Sequence, residues 1–282
     1  FSGSSFYPGT WGLGLIGPAD DADCAELAAT IQSVGRGMTD LAVVDAFVKG
    51  IRPAIEQVRA LGVKLRRANN SAQKEFIPCF DHKHRDWNGI EFSSAKAIFS
   101  ERLKTLGVNV ISRCETLELV QRDGRVCGAV VAQAGGLAYI GCRALVLATG
   151  GYGGIFKYHL CTEDVSGLGQ TLALNAGCEL VNMEFMQIGM GFSWPVVNIF
   201  NGYIWEGKPS LTDREGKDIF EGVLPEGLTK EDVMHEHRKH FPFSSSDDSK
   251  YLEVAVQTAV KNGRGTQRGG IRADFSHITD EY

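Results

Sequence analysis

Residues 144–187 read ALVLATGGYGGIFKYHLCTEDVSGLGQTLALNAGCELVNMEFMQ, and this run constrains the fold more than any other part of the chain. Residues 144–148 have the composition of a buried strand. The strand runs directly into Thr149, Gly150 and Gly151. Glycine carries no Cβ, so another chemical group can approach the backbone closely there. Gly153 and Gly154 offer a second such place. Gly167 and Gly169 offer a third, just ahead of a helical stretch through Leu172, Leu174 and Ala176 that ends at Gly177. Backbone amides at a helix N-terminus suit a phosphate or another electron-rich group. One glycine pair alone reads as an ordinary turn; the whole series in this order predicts an α/β fold that cradles a ligand.

The rest of the chain supplies the surroundings. Residues 1–18 hold five glycines and two prolines and read as loop throughout. From Asp23 to about Leu61 the pattern is helical, with a break at Gly35 and Gly37, a cap at Thr39 or Asp40, and Pro53 near a boundary. A helix is expected from Ser93 or Ser94 to Gly107, then a short strand over residues 108–111. Two strands, 116–121 and 125–133, flank the turn Asp123-Gly124. Beyond about Trp194 glycine spacing loosens and charge rises, and a helix is expected over 251–260. These changes predict two domains, 1–194 and 195–282.

Composition sets limits. A net charge of −5 without single-sign blocks argues against nucleic acid as a partner. Seven cysteines with no CxxC spacing argue against zinc or iron–sulfur ligation and for a reducing, cytoplasmic setting, with most of the thiols buried as small apolar side chains. There is no apolar run of about 18 residues, so direct membrane insertion is not expected. The chain opens on Phe1 and enters at once into Ser2-Gly3-Ser4-Ser5, as a fragment does.

Four motifs in order carry a family resemblance: Ala-Thr-Gly-Gly at 148–151, Ser-Gly-x-Gly at 166–169, Ala-Gly-x-x-Leu at 176–180 and Glu-Phe-x-Gln at 184–187. In these the chain resembles the flavoprotein family of fumarate reductase, succinate dehydrogenase and L-aspartate oxidase. The resemblance implies FAD as cofactor and a partial Rossmann-like FAD-binding domain followed by an α+β capping domain. Ser4, Ser5, Ala148, Thr149, Gly150 and Gly169 would line the cofactor. It also implies hydride transfer between flavin and a small organic acid or activated alkene, with a protein as the expected electron donor; no metal is expected, because the cysteine and histidine patterns do not suit one. The alternative is an electron-transfer or assembly subunit that keeps the fold without the dicarboxylate site.

The chain departs from the family pattern in three places. The opening strand with Gly-x-Gly-x-x-Gly is missing and is expected to precede Phe1. Where the family places Phe-His-Pro after Glu-Phe-x-Gln, this chain has Ile188-Gly189-Met190. The family's Arg-Asp pair falls on Ser249 and Lys250. The candidate catalytic cations are therefore Lys250, Arg264 and Arg268, the last two in a glycine-rich stretch that also holds Arg272. His235, His237 and His240 read as a solvated helix face, His82 and His84 carry no strong ligand pattern, and Met183, Met186 and Met190 read as core.

Overall fold

The computed structural model describes residues 3–6, 14–66, 85, 87–186, 189–200, 202–238 and 244–279. Tyr7, Trp11, His82, His84 and His240 lie outside the described residues.

The N-terminal loop is not structureless: Ser4–Phe6 forms one 3-10 turn and β1 is Gly14–Ile16. Helix α1, Asp21–Val34, starts where the Asp20 carboxylate accepts from the Asp23 amide at 2.8 Å. Helix α2, Leu41–Ala60, is capped by Asp40, which accepts from the amides of Ala42 and Val43 at 2.8 and 3.2 Å. Arg36 and Gly37 both hold positive φ between the two helices. Pro53 does not end α2; the helix continues through it with one fewer backbone donor. Val48 and Ile55, on either side of the proline, are both buried. Strands β2, Leu65–Arg66, and β3, Trp87–Ile90, join β1 in the order β1-β3-β2.

Helix α3 is Phe92–Thr105. Strands β4, Glu115–Arg122, and β5, Arg125–Gln133, form the expected hairpin, with Asp123 and Gly124 both at positive φ as a two-residue primed turn requires. A third antiparallel strand, β6, Gly136–Gly141, was not foreseen, although Gly135-Gly136 followed by Leu-Ala-Tyr-Ile carries the signal. Helix α4 is Leu168–Asn175. There follow β7, Gly191–Phe192, β8, Asn198–Ile199, α5, Gly202–Glu206, β9, Ser210–Thr212, α6, Lys230–His237, α7, Lys250–Lys261, and β10, Arg272–Asp274. β7 pairs with β8 and β9 with β10, both antiparallel.

The strands expected at 108–111 and 144–148 are absent: neither segment joins a ladder. Val108, Val110 and Ile111 are exposed, and Val146 is 87% exposed. Apolar, β-branched composition favours a sheet, but a strand needs neighbours to pair with, and no described segment lies beside these two in register.

Whereas a linear division at 194/195 was expected, contacts group the chain into two discontinuous units. The first comprises Phe1–Leu13, Leu61–Lys64 and Ile90–Met186; the second comprises Gly14–Ala60, Leu65–Gly89 and Gln187–Tyr282. The second unit has the denser core. Phe200, Trp205, Leu211, Ile219, Phe220, Val233, Leu252, Ala255 and Ala259 are buried together, with Phe200 and Trp205 ring centres 4.2 Å apart. Leu27, Val44 and Val48 form a smaller cluster between α1 and α2.

Three carboxylates of the second unit are held below the ordinary aspartate range. Burial alone would push Asp213 up; the amides of Lys217 and Glu215 and the Arg264 guanidinium outweigh it. Asp232 is lowered by the Thr229 hydroxyl and amide, and Asp274 by the Ser276 amide and hydroxyl. A carboxylate whose folded pKa is depressed stabilises the fold above its unfolded pKa, about 3.9, and loses that contribution as pH falls through the folded value. Acid unfolding below about pH 4 should therefore start in the second unit. Hydrogen exchange at falling pH checks this: amides of α6 and α7 should lose protection before those of β4 and β5, and the reverse order would contradict it.

Candidate functional site

The six residues expected along a cofactor, Ser4, Ser5, Ala148, Thr149, Gly150 and Gly169, all belong to the first unit. Ser4 sits in the 3-10 turn closed by the Phe6 amide on the Gly3 carbonyl at 3.1 Å. Its Oγ lies 3.2 Å from Thr162 Oγ1 and accepts from the Thr162 amide at 3.1 Å. Ser5 beside it is exposed. The turn is thereby fastened to the loop between residues 152 and 165, which is itself closed by the Gly154 amide on the Val165 carbonyl at 2.8 Å. A methyl on Gly154 would meet that carbonyl oxygen at 2.8 Å.

Ala148, Thr149 and Gly150 form an exposed stretch ahead of this loop. Gly150 has φ +73, a conformation that disfavours side chains. Gly169, buried in the first turn of α4, lies directly against Thr149: a Cβ there would fall 1.8 Å from Thr149 Oγ1 and 2.8 Å from its Cβ. Gln170 donates through Nε2 to the Gly150 carbonyl at 3.0 Å, tying the turn to the helix. Tyr152 donates through its hydroxyl to the carbonyls of Met183 and Phe185 at 2.7 and 3.2 Å, so it pins the Glu-Phe motif to the same turn. Gln170, Tyr152 and Thr162 were missed at the sequence level. Their roles are contacts between loops, and no spacing in the sequence encodes those.

The cradle has the donor set of a dinucleotide site. Helix α4 starts at Gly167 with no side-chain cap, so its first amides are available to an anionic group. Gln170 Oε1 is buried without a hydrogen-bond partner among the described residues, an acceptor suited to a hydroxyl or ring N–H. The hydroxyls of Ser5 and Thr149 complete the set. These residues fit FAD, and they would hold it through backbone amides, hydroxyls and one side-chain amide. FAD, when bound, supplies the hydride chemistry that none of these side chains can perform.

The three candidate cations lie in the second unit. Arg264 donates through Nη1 to Asp213 Oδ2 at 2.8 Å, and its carbonyl accepts from the Arg214 amide at 3.0 Å. Asp213 has no exposed surface and also closes the turn to Glu215 and Lys217. Lys250, at the start of α7, lies 3.8 Å from Asp248 and over the Tyr251 ring. Arg268 is exposed and lies over the Trp194 ring, 5.4 Å from its centre. Ser249 is fully buried, and its hydroxyl makes no capping bond.

Other expectations change. His237 is not on a solvated face: it is buried, with Nε2 3.1 Å from Glu253 Oε1 and its ring 4.8 Å from Trp205. Histidine spacing alone could not show that α6 packs this side against α7. Met183 is exposed, while Met190 does pack against the core. Of the six described cysteines five are half-buried and one is exposed, so none is the buried apolar residue expected. Cys24 lies in α1 at the edge of the α1–α2 cluster and Cys127 within β5, while Cys114 and Cys142 flank strands and Cys161 and Cys178 lie in loops.

Residues 9–195 match the sequence profile of the FAD binding domain family. The chain belongs to that family. It is 26% identical over 245 residues to L-aspartate oxidase of Saccharolobus solfataricus, covering 83% of this chain and 48% of that protein. It is 27% identical over 203 residues to a fumarate reductase (CoM/CoB) subunit of Methanothermobacter marburgensis, covering 70% and 34%. The fold is that of solved flavoproteins. It superposes on E. coli quinol fumarate reductase FrdA with a TM-score of 0.68 at 22% identity, over 95% of this chain and 46% of that one. Mycobacterium smegmatis Sdh1 gives 0.68 at 21%, over 94% and 45%. The chain spans about half the length of the first of these relatives and of the solved structures. Among the described residues no helix is long and apolar enough to cross a membrane.

Proposed function

We propose that this protein is an FAD-dependent oxidoreductase that moves a hydride between the flavin and a small organic acid or a related activated alkene. One observation carries the reading: Thr149, Gly150, Gly169 and Gln170 meet in a turn whose helix amides are uncapped and whose one buried side-chain acceptor lacks a partner among the described residues. The largely exposed apolar segments 108–111 and 144–148 support the same reading, since strand-like composition left uncovered suits the sheet of a flavin domain. The names of the relatives, L-aspartate oxidase and fumarate reductase, support a small organic acid as the substrate class; an electron-donor protein as partner is part of the same proposal.

Within the second unit the three cations divide by what already holds them. Arg264 is committed to a fully buried carboxylate and acts as a fastener of the 213–217 turn. Lys250 has a carboxylate neighbour. Arg268, set on Trp194 and open to solvent, is the candidate to grip an acid or deliver a proton. Arg268→Ala should lower turnover by about 10²–10⁴ with flavin content unchanged. Steady-state assays on a panel of small unsaturated acids, beside Lys250→Ala and Arg264→Ala, check this. Wild-type turnover in the Arg268 variant would contradict the assignment.

The second reading, an electron-transfer or assembly subunit, is favoured by one observation. At the position where the family's arginine would stand, Ser249 has no exposed surface and so cannot touch a substrate. Flavin reduction by an electron donor, with no turnover of any acid on the panel, would select it.

A further inference from the structure

Away from the cradle, the β4-β5-β6 sheet brings two thiols together. Gly128 on β5 faces Gly141 on β6, so the preceding Cys127 and the following Cys142 stand opposite each other, and the Cys142 amide donates to the Cys127 carbonyl at 2.9 Å. Cys127 also occupies an irregularity in the ladder with β4. Val120 faces Gly128 and Gln121 faces Val126, which leaves Cys127 as the extra residue of a bulge. Its Sγ is 3.5 Å from the Val120 carbonyl. The Tyr139 hydroxyl donates to the Cys127 carbonyl at 2.9 Å and lies 3.7 Å from its sulfur. The Tyr139 phenol is held above its ordinary value, chiefly by that contact with Cys127, then by partial loss of water, with Cys142 adding to it. All three groups therefore form one cluster. Both thiols are half-buried and free.

We propose that Cys127 and Cys142 are a redox-active cross-strand pair that closes to a disulfide by exchange with a low-molecular-weight disulfide and reopens with a dithiol. Opposed residues of an antiparallel pair have Cα atoms about 4.5–5.5 Å apart, inside the range of about 4.4–6.8 Å that a disulfide spans. Their Cβ atoms stand about 4.5–5.5 Å apart, against about 3.5–4.5 Å in a closed bond. The Cys142 amide on the Cys127 carbonyl makes this a hydrogen-bonded pair, at the wide end of that range, so closure needs a shift of about 1–2 Å. The bulge at Cys127 and the position of Cys142, one residue past the end of β6, supply the give. A bond closed under strain is labile, which makes the pair a reversible switch rather than a structural staple.

In the exchange the Cys142 thiolate attacks a sulfur of the small disulfide and expels one small thiol. The Cys127 thiolate then attacks the Cys142 sulfur of the mixed disulfide and expels the second. The two protein thiols lose two electrons, the small disulfide gains them, and the two thiol protons pass to the departing thiolates. The consequence is local. Cys142 opens the segment that leads to Ala148, Thr149 and Gly150, so the closed bond pins the root of that segment to β5.

Both cysteines lie on one tryptic peptide, residues 126–143. Protein incubated with oxidised glutathione, digested without reduction and treated with iodoacetamide should give that peptide lighter by two hydrogen atoms and unalkylated. Prior treatment with dithiothreitol should return it doubly alkylated. Cys142→Ser should instead carry glutathione or one alkyl group on Cys127. A doubly alkylated peptide after oxidation, glutathione left on either sulfur of the wild type, or a bond from Cys127 to a different cysteine would each overturn the proposal.

Discussion

Arg85→Ala should lower the unfolding free energy of the second unit by about 3–5 kcal/mol, the usual cost of removing one member of a buried ion pair. Arg85 and Asp23 are 7% and 4% exposed, and the guanidinium reaches Asp23 Oδ1 through Nε and Nη2 at 3.1 and 2.9 Å. The same carboxylate accepts from the Ala19 amide at 2.9 Å, so it also fixes the entry to α1. Two consequences separate charge burial from mere packing. Arg85→Lys should recover only part of the loss, because an ammonium cannot form the fork. Asp23→Leu combined with Arg85→Met should recover most of it, since two apolar side chains leave no buried charge. Urea unfolding followed by hydrogen exchange in α1 and α2 reads the effect. An Arg85→Ala protein that unfolds at the wild-type midpoint would show that the pair contributes nothing.

The second large effect is expected at Gly169. A methyl group there meets Thr149 at Oγ1, Cβ and Cγ2, at 1.8, 2.8 and 3.1 Å. Rotating the threonine about χ1 moves Oγ1 and Cγ2 but not Cβ, so no rotamer relieves the overlap and the backbone has to separate. Overpacking of this kind costs about 1–3 kcal/mol. Separation also pulls Gly150 from Gln170, opening the cradle, so FAD affinity should fall roughly tenfold or more; a factor of ten is about 1.4 kcal/mol. Adding Thr149→Gly to Gly169→Ala removes the obstructing Cβ and should restore the close approach, whereas Thr149→Ser should not. The flavin-to-protein absorbance ratio and the thermal midpoint measure both effects. Full flavin content in the Gly169→Ala protein would mean that this contact does not shape the site.

Local chemistry was legible in the sequence and long-range pairing was not. The Thr39-Asp40 pair announced the start of α2, Asp123-Gly124 announced the hairpin, and Ser166–Gly169 announced the start of α4 to within two residues, because caps and turns are written within a few neighbouring residues. The glycine series also marked the close approach of Gly169 to Thr149, since the reason for a missing Cβ is present in the sequence even when the neighbour is not. Residues 108–111 and 144–148 have strand composition but form no strand, because pairing depends on partners far away in the chain. The Asp23–Arg85 pair spans 62 residues, and the commitment of Arg264 to Asp213 spans 51. Such contacts belong to the tertiary fold and leave no period in the sequence. His237 shows the same limit: charged neighbours on either side suggested solvent, while the packing of α6 on α7 buried it.

The central claim is that the first unit carries an FAD site, and the most direct measurement is the cofactor itself. The purified protein, supplied with FAD, should show flavin absorbance. On denaturation it should release the flavin as FAD and not as FMN, in a ratio approaching one per chain for a single site. Protein that stays colourless, and takes up no FAD when it is supplied, would contradict the account.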